Sequence, residues 1–452
     1  MKSSHIDMLH GPIARKLIAF ALPVAASAFL QQLLNAADIA VVGRFASSDA
    51  LAAVGANTFV INLMLNLFVG LSVGANVVIA RYIGQERHKE IQQAVHTSIL
   101  LSVICGLFLS VFGWNIARPV LTWLSTPEEI LDLAVLYFRI YFLGMPFLMV
   151  FNFSSAILRS KGDTRRPLYI MAGSGVINVL LNLFLVSKCG MSVEGVAIAT
   201  LVATFISSMC LLYLLRKEEG DLHLDFRKLH IHKHVLMKIA AIGVPAGIQG
   251  MIFNISNVLI QSGVNSLGTA AVGGNTTSLS FDYFCFFIGN AFGQAGTSFM
   301  SQNYGAKQIE RCRKIVRDCI ILGPGITFCF SMLIVYFATE LSSLFTSDPD
   351  VVMYSALRIQ VVITFYGIHS FNEILSGMMR ALGHSVVPAV INVMFICGIR
   401  LCWLFFFFPS HQEYGFLQYC YPISWIVNIA VMLPAFFYIS NKMFAKHSKM
   451  TN

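Results

Sequence analysis

The apolar residues of this chain fall into twelve long stretches, separated by charged clusters or by Gly and Pro. They lie near residues 16–43, 50–80, 94–117, 127–158, 167–187, 193–215, 235–264, 270–301, 312–339, 349–382, 386–408 and 416–440. An apolar stretch of about 20 residues can cross a bilayer as a helix, and none of these alternates as a barrel strand does. The pattern therefore predicts an all-α polytopic membrane protein with twelve transmembrane helices.

The second half of the chain repeats the first, with several matches in one register. The sequence AAVGANT at 52–58 matches AAVGGNT at 270–276 with a small gap, and Pro23 matches Pro245. Each repeat has six helices, an even number, so both start on the same side of the membrane and the repeat is parallel. We predict two six-helix bundles, an N-lobe of residues 1–217 and a C-lobe of residues 235–452, joined by a cytoplasmic linker of residues 218–234.

Composition and charge agree with a membrane protein. Only 12% of the 452 residues are charged, about half of the usual 25% in soluble domains. The net charge of +9 comes from Lys and Arg that cluster in alternate loops. This positive-inside pattern places both termini in the cytoplasm and argues against nucleic acid as a partner. The ten Cys include no CxxC pair and are interpreted as core residues, not as a disulfide or metal framework.

Asp38 is the only charged residue between Lys16 and Arg44. A carboxylate inside a membrane helix is costly and usually faces a protein interior or a wet cavity. Gln31 and Asn35 precede it by seven and three residues, on the same helical face. The polar stripe favours a cavity; the alternative is an acid near the helix end that pairs with Arg44.

The two lobes share a scaffold but differ in polar chemistry. In the N-lobe, Asn178 and Asn182 share a helix face; they are either packing residues or, with Asp38 and Thr200, oxygen ligands for a small cation such as Na⁺. The C-lobe instead carries Asp282, Glu373 and Arg400, and Glu373 aligns with Asn152, a further candidate for the substrate cavity. Arg400 has either a site role or a structural pairing with one of the two acids, and Arg139 and Arg358 are interpreted as anchors.

Pro23 and Pro245 lie inside the first helix of each lobe. A proline there removes a backbone hydrogen bond and permits a kink. Each is either a static kink or a moving hinge.

Six motifs together resemble the multidrug and toxic compound extrusion (MATE) family over nearly the whole chain. They are GPIARKLIAFALP at 11–23, QQLLNAADIAVVGRF at 31–45, ALAAVGANT at 50–58, SAILRSKGDTRRP at 155–167, GQAGTSFMSQNYGA at 293–306 and SGMMRALGHSVVP at 376–388. The resemblance implies two bundles that open alternately to each side of the membrane. It also implies export of bulky organic cations against inflow of H⁺ or Na⁺, with no other cofactor.

The resemblance also assigns site residues. Asp38 is similar to the acid on the family's first helix, while Asn178 and Thr200 match positions of its N-lobe cation site. Glu373 resembles the acid on the tenth helix, and Asp282 lies where a related branch often carries Glu. Asn182 departs from the pattern, because well-known members carry Asp there. A single carboxylate among neutral groups should exchange a proton near neutral pH, since burial disfavours the charged form; we therefore predict H⁺ as the coupling ion.

These observations predict a monomeric secondary antiporter of the bacterial inner membrane, in contact with lipids and small organic cations. One rival is a lipid-precursor flippase of the same superfamily, which would favour a more cationic central groove; the buried acids argue against it. An intramembrane enzyme is a remote alternative, because no GxSxG, HExxH or paired-Asp motif lies in a helix.

Overall fold

The computed structural model describes residues 5–124 and 126–448. Within these ranges the chain forms twelve long helical segments and no strand. They are α1 (Ile13–Phe45), α2 (Ser48–Gly84), α3 (His88–Trp123), α4 (Glu128–Leu143 and Met145–Ser160), α5 (Arg165–Lys188), α6 (Val193–Lys217), α7 (Lys233–Asn265), α8 (Thr269–Gly305), α9 (Ile309–Tyr336), α10 (Pro349–Ala381), α11 (Val386–Ser410) and α12 (Tyr414–Gln418 and Cys420–Ser448). The prediction of an all-α, twelve-helix protein is confirmed.

Ten of these helices are long and apolar enough to cross a membrane, and the bent α4 makes eleven across the described ranges. The twelfth, α8, is 37 residues long but carries Asp282 and many small polar residues along its length. A helix of that length spans about 55 Å at 1.5 Å per residue, more than the bilayer core requires. The chain is therefore a multi-pass membrane protein.

Backbone geometry repeats with the register that the sequence indicates. Glu86 and Lys307 both follow a long helix with positive φ, at 55° and 60°. Gly162 and Gly383 turn the chain after α4 and α10 with φ of 92° and 93°, values that favour glycine. The members of both pairs are equally far apart in the sequence, so the internal repeat is present in conformation as well as in sequence.

Two of the helix breaks recur in the same places. α4 bends by 45° at Gly144, and α10 changes to a 3₁₀ turn at the corresponding Ile363–Phe365. α5 ends in a π-helical turn, Leu183–Lys188, and its counterpart α11 has one at Trp403–Phe407. Single π turns inside α-helices are often found at functional sites.

The chain divides into two compact units. We call them the N-terminal unit, which includes Ala26–Val244, and the C-terminal unit, which includes Asp7–Ala25 and the chain from Pro245 onward. The predicted lobes differ from these units in α1 and α7, whose first halves pack with the opposite repeat. The chain thus changes unit shortly after Pro23 and directly before Pro245, inside helices and not in the charged linker.

The packing of these two half-helices is close. Within the C-terminal unit, Phe20 of α1 meets Phe299 of α8 edge to face at 5.8 Å, and Asn303 donates to the Met8 carbonyl at 3.0 Å. Within the N-terminal unit, a Cβ on Gly74 would lie 2.3 Å from the Ile239 carbonyl oxygen, so α2 and α7 are in backbone contact there. These contacts fix the first half of each helix to its unit.

Candidate functional site

Asp38 lies in the second half of α1 and is bound by neutral side chains. Its Oδ1 accepts a hydrogen bond from Asn182 Nδ2 at 2.5 Å, and its Oδ2 accepts one from Thr200 Oγ1 at 3.2 Å. Among the described residues Arg44 forms no ion pair with Asp38, and the side chains that donate to this carboxyl are neutral. Of the two interpretations of Asp38, the structure supports the one in which it faces the protein interior.

A second layer of polar groups orients these partners. Asn182 also donates to Asn178 Oδ1 at 3.3 Å, and Asn178 donates to Thr200 Oγ1 at 3.3 Å. Asn182 is fully buried, and its Oδ1 has no hydrogen-bond partner among the described residues. The four-residue spacing on α5 thus places both amides on the face that meets α1 and α6, next to the π turn that starts at Leu183.

A cavity of about 80 Å³ adjoins this network in the N-terminal unit. Polar side chains from three helices line it together with apolar ones: Gln31, Asn35, Asp38, Ser174, Asn178, Thr200, Thr204 and Ser207. The polar stripe on α1 that the sequence indicates therefore faces a cavity. Asn152, which we expected to share it, is not part of this lining; its amide donates to the Leu148 carbonyl on its own helix at 2.9 Å.

The oxygen atoms of this hydrogen-bonded network are hard ligands: two from the Asp38 carboxylate, Oγ1 of Thr200 and Oδ1 of Asn178. Oxygen ligands of this kind suit Na⁺ as well as a proton. No group of three His, Cys, Asp or Glu that could hold a metal ion occurs in the ranges that the structure describes. The chemistry available here is thus exchange of a small cation at a single carboxylate.

In the C-terminal unit, Asp282 pairs with Arg358. The carboxylate Oδ2 lies 2.6 Å from Arg358 Nη1, and both side chains are almost fully buried. Arg358 also donates to Gln418 Oε1 at 3.1 Å and to Ser278 Oγ at 3.2 Å. Asp282, one of the two acids considered as a structural partner of Arg400, is therefore engaged by Arg358, which the sequence indicated only as an anchor.

Arg400 instead lies among neutral and aromatic groups. It donates from Nε to Ser424 Oγ and from Nη1 to Asn257 Oδ1, both at 3.2 Å. Its guanidinium lies 4.3 Å from the Tyr421 ring centroid and 5.1 Å from that of Phe253.

Glu373 belongs to a separate polar group. Its carboxylate lies near the Asn290 side chain and the Arg380 guanidinium. Arg380 donates to Gln249 Oε1 at 3.0 Å. Asp282, Glu373 and Arg400 therefore do not form one site. In these polar groups three arginines stand against two acids.

Comparison with known proteins gives consistent matches. The family model MatE matches residues 23–184 and 245–404, once in each repeat. The chain is 26% identical over 396 residues to the probable multidrug resistance protein YoeA of Bacillus subtilis, covering 86% of this chain and 85% of that one. It is 26% identical over 413 residues to a Shewanella oneidensis protein named FAD transporter, covering 89% of each.

A solved structure shares the fold. It shows the outward-facing conformation of a multidrug resistance MATE family transporter of the MOP superfamily. The match has a TM-score of 0.89 at 20% identity and covers 99% of this chain and 100% of the other. The twelve-helix arrangement is thus one that transporters of this kind adopt.

Proposed function

Since the chain belongs to the MatE family of multidrug efflux transporters, we propose that it is a secondary active antiporter. In this proposal it exports organic cations across the inner membrane in exchange for H⁺. The hydrogen-bonded network of Asp38, Asn182, Asn178 and Thr200 carries the proposal, because it combines one carboxylate with a polar cavity inside a membrane helix bundle.

The proton is proposed as the coupling ion because the described partners of Asp38 are all neutral. A carboxylate with no cationic partner, placed away from water, gains by taking up a proton. Once neutral, Asp38 would accept weaker hydrogen bonds from Asn182 and Thr200, so loading the proton would loosen α1 from α5 and α6. Protonation of Asp38 is thereby linked to the packing of α1 against α5 and α6.

Alternating access is proposed to use Pro23 and Pro245 as hinges. Each proline lies close to the point where its helix changes from one unit to the other. A missing hydrogen bond at that point lets the half-helices move with different units. Rigid-body movement of the two repeats about such points is the general mechanism of transporters with internal symmetry.

Dye efflux from sealed vesicles tests the proposal. Purified protein is reconstituted, and export of a cationic dye is followed with a pH gradient alone, then with a Na⁺ gradient alone in the presence of protonophore. We expect export only with the pH gradient, and loss of export in Asp38→Asn at normal membrane levels. Asp49→Asn, an exposed acid of the same unit, is the matched control and should transport normally. Export driven only by Na⁺, or full activity of Asp38→Asn, would overturn it.

The cytoplasmic placement of both termini is part of the same proposal. It rests on basic segments such as Arg81–Lys89, where α2 ends and α3 begins, and Arg311–Arg317, in the first turns of α9. Both should face the cytoplasm. Single-cysteine labelling of intact cells, in a variant without other cysteines, checks this. Labelling of either segment from outside would contradict the two-repeat orientation.

A lipid-precursor flippase is the second candidate, and one observation favours it. Arg358, Arg380 and Arg400 outnumber Asp282 and Glu373 in the polar groups of the C-terminal unit, as a substrate with phosphate groups would require. A relative named FAD transporter supports such a substrate class. Translocation of a fluorescent lipid pyrophosphate in the same vesicles, with no export of the cationic dye, would favour this candidate.

A further inference from the structure

Arg400 is a buried cation that forms no ion pair with an Asp or Glu of the described chain, although Asp282 lies near enough to interact with its charge. Its side chain is 1% exposed, and a guanidinium keeps its charge at every physiological pH. Asp282 is engaged by Arg358, and no other Asp or Glu of the described residues forms an ion pair with Arg400. Buried charges in proteins are almost always paired, because an uncompensated charge in a low-dielectric interior is strongly unfavourable.

The present contacts of Arg400 compensate for lost hydration but not for its charge. Ser424 and Asn257 are neutral acceptors, and the rings of Tyr421, Phe253 and Trp425 interact with the guanidinium through their faces. Asp282, Arg358 and Arg400 together comprise two guanidiniums and one carboxylate. One positive charge therefore remains in this part of the C-terminal unit.

A second donor without an acceptor belongs to Trp425, whose ring faces the Arg400 guanidinium. The indole Nε1 of Trp425 is buried and has no hydrogen-bond partner within the described ranges, although an indole N–H can only donate. The Cζ of Arg400 is 5.8 Å from the Trp425 ring centroid. A neutral acceptor would satisfy the indole, but only an anion would also balance the guanidinium.

We propose that Arg400 and Trp425 form a binding site for a small monovalent anion inside the C-terminal unit. The ligand is either an inorganic ion such as chloride or the carboxylate of a small aromatic solute, since aromatic rings surround the guanidinium. A single negative charge matches the single uncompensated positive charge. The site is independent of the coupling ion proposed at Asp38.

Thermal unfolding of the purified full-length protein in detergent tests the site without measuring transport. Sodium chloride and sodium benzoate are titrated separately against sodium gluconate at equal ionic strength. A ligand that binds only the folded state raises Tm, so we expect a saturable rise with chloride, with benzoate, or with both. Chloride alone identifies an inorganic ion, and benzoate alone identifies an organic carboxylate.

Three variants locate the effect. Arg400→Gln should abolish the rise, and Trp425→Phe, which keeps a ring and removes the N–H, should shift half-saturation to higher concentration. Arg139→Gln is the matched control, because Arg139 also lies over an aromatic ring, that of Trp114 at 5.1 Å, and it should keep the full rise. An equal rise in Arg400→Gln, or no saturable rise in the wild type, would overturn the proposal.

If Arg400→Gln does not fold, wild-type crystals soaked in bromide provide the decisive measurement. An anomalous peak within hydrogen-bond distance of the Arg400 guanidinium supports the site. Its absence, together with Tm values that do not respond to anions, would show that the aromatic rings and neutral acceptors are sufficient to hold Arg400.

Discussion

Replacing Arg358 by Met should strongly destabilise the C-terminal unit. Met fills a similar volume but leaves the Asp282 carboxylate buried, with Oδ1 already lacking a partner among the described residues and Oδ2 losing its ion pair. Removing one member of a buried pair costs about 3–5 kcal/mol. Gln418 Oε1 loses its donor as well, which adds about 1 kcal/mol.

The double variant Asp282→Asn/Arg358→Met separates the ion pair from its surroundings. Replacing both charges by neutral groups is often close to neutral, so the double variant should be more stable than Arg358→Met alone. The double-mutant cycle should give a coupling energy of about 2–3 kcal/mol, which additive, independent sites would not show.

The assay is thermal or denaturant unfolding of the purified protein in detergent, with Arg139→Met as control. Arg139 is only half-buried, so its replacement should lower Tm little. Equal stability of wild type and Arg358→Met, or a double variant as unstable as the sum of the single ones, would refute the reasoning. Dye efflux by the double variant then decides a further point: retained efflux assigns Asp282 a structural role.

Three further predictions follow from single contacts. Gly106→Ala should lower Tm by several degrees, because its Cβ would lie 2.3 Å from Pro146 Cα, whereas Gly173→Ala, with open space around it, should not; equal Tm values would contradict this. Burial alone would raise the pKa of the Glu218 carboxyl, but Arg166 at 2.7 Å holds that pKa below its usual range. The stabilisation is thus present at neutral pH and lost as the pH falls through the lowered pKa, so the Tm difference between wild type and Glu218→Gln should shrink in acid and not grow. Asn182→Asp should make dye efflux more dependent on Na⁺, since a second carboxylate offsets the dehydration of the ion; an unchanged ion preference would assign the amides to packing.

The sequence was sufficient for the fold because the signals involved are local or periodic. The twelve apolar stretches are recognised from composition alone, and the internal repeat from matching positions in the sequence. The structure has a helix for each stretch and repeats its backbone turns with the same spacing. The residues of the Asp38 network could also be predicted from the sequence. One isolated acid on α1 and two amides on the same face of α5 are polar groups that need hydrogen-bond partners inside a membrane, so their helix faces must meet other polar groups.

The C-terminal chemistry was not accessible in the same way. Asp282 and Arg358 lie on different helices, far apart in the sequence. Which of two buried arginines meets the acid depends on the rotation of α8, α10 and α11 about their axes, and no spacing rule supplies that rotation. The same limit explains Asn152, whose alignment with Glu373 identified its helix position but not the direction of its amide.

The division of charge between the repeats bears on where ion coupling occurs. A group that drives transport has to change its charge state during the cycle, and that change must alter the packing around it. In the C-terminal unit the charge of Asp282 is already balanced by Arg358, so protonating it would break an ion pair and leave a second guanidinium uncompensated. In the N-terminal unit the described partners of Asp38 are neutral donors, and its protonation creates no new unpaired charge. The scaffold is repeated, but of these two acids only Asp38 can take up a proton without leaving an opposite charge uncompensated, which is why we propose Asp38 as the coupling residue.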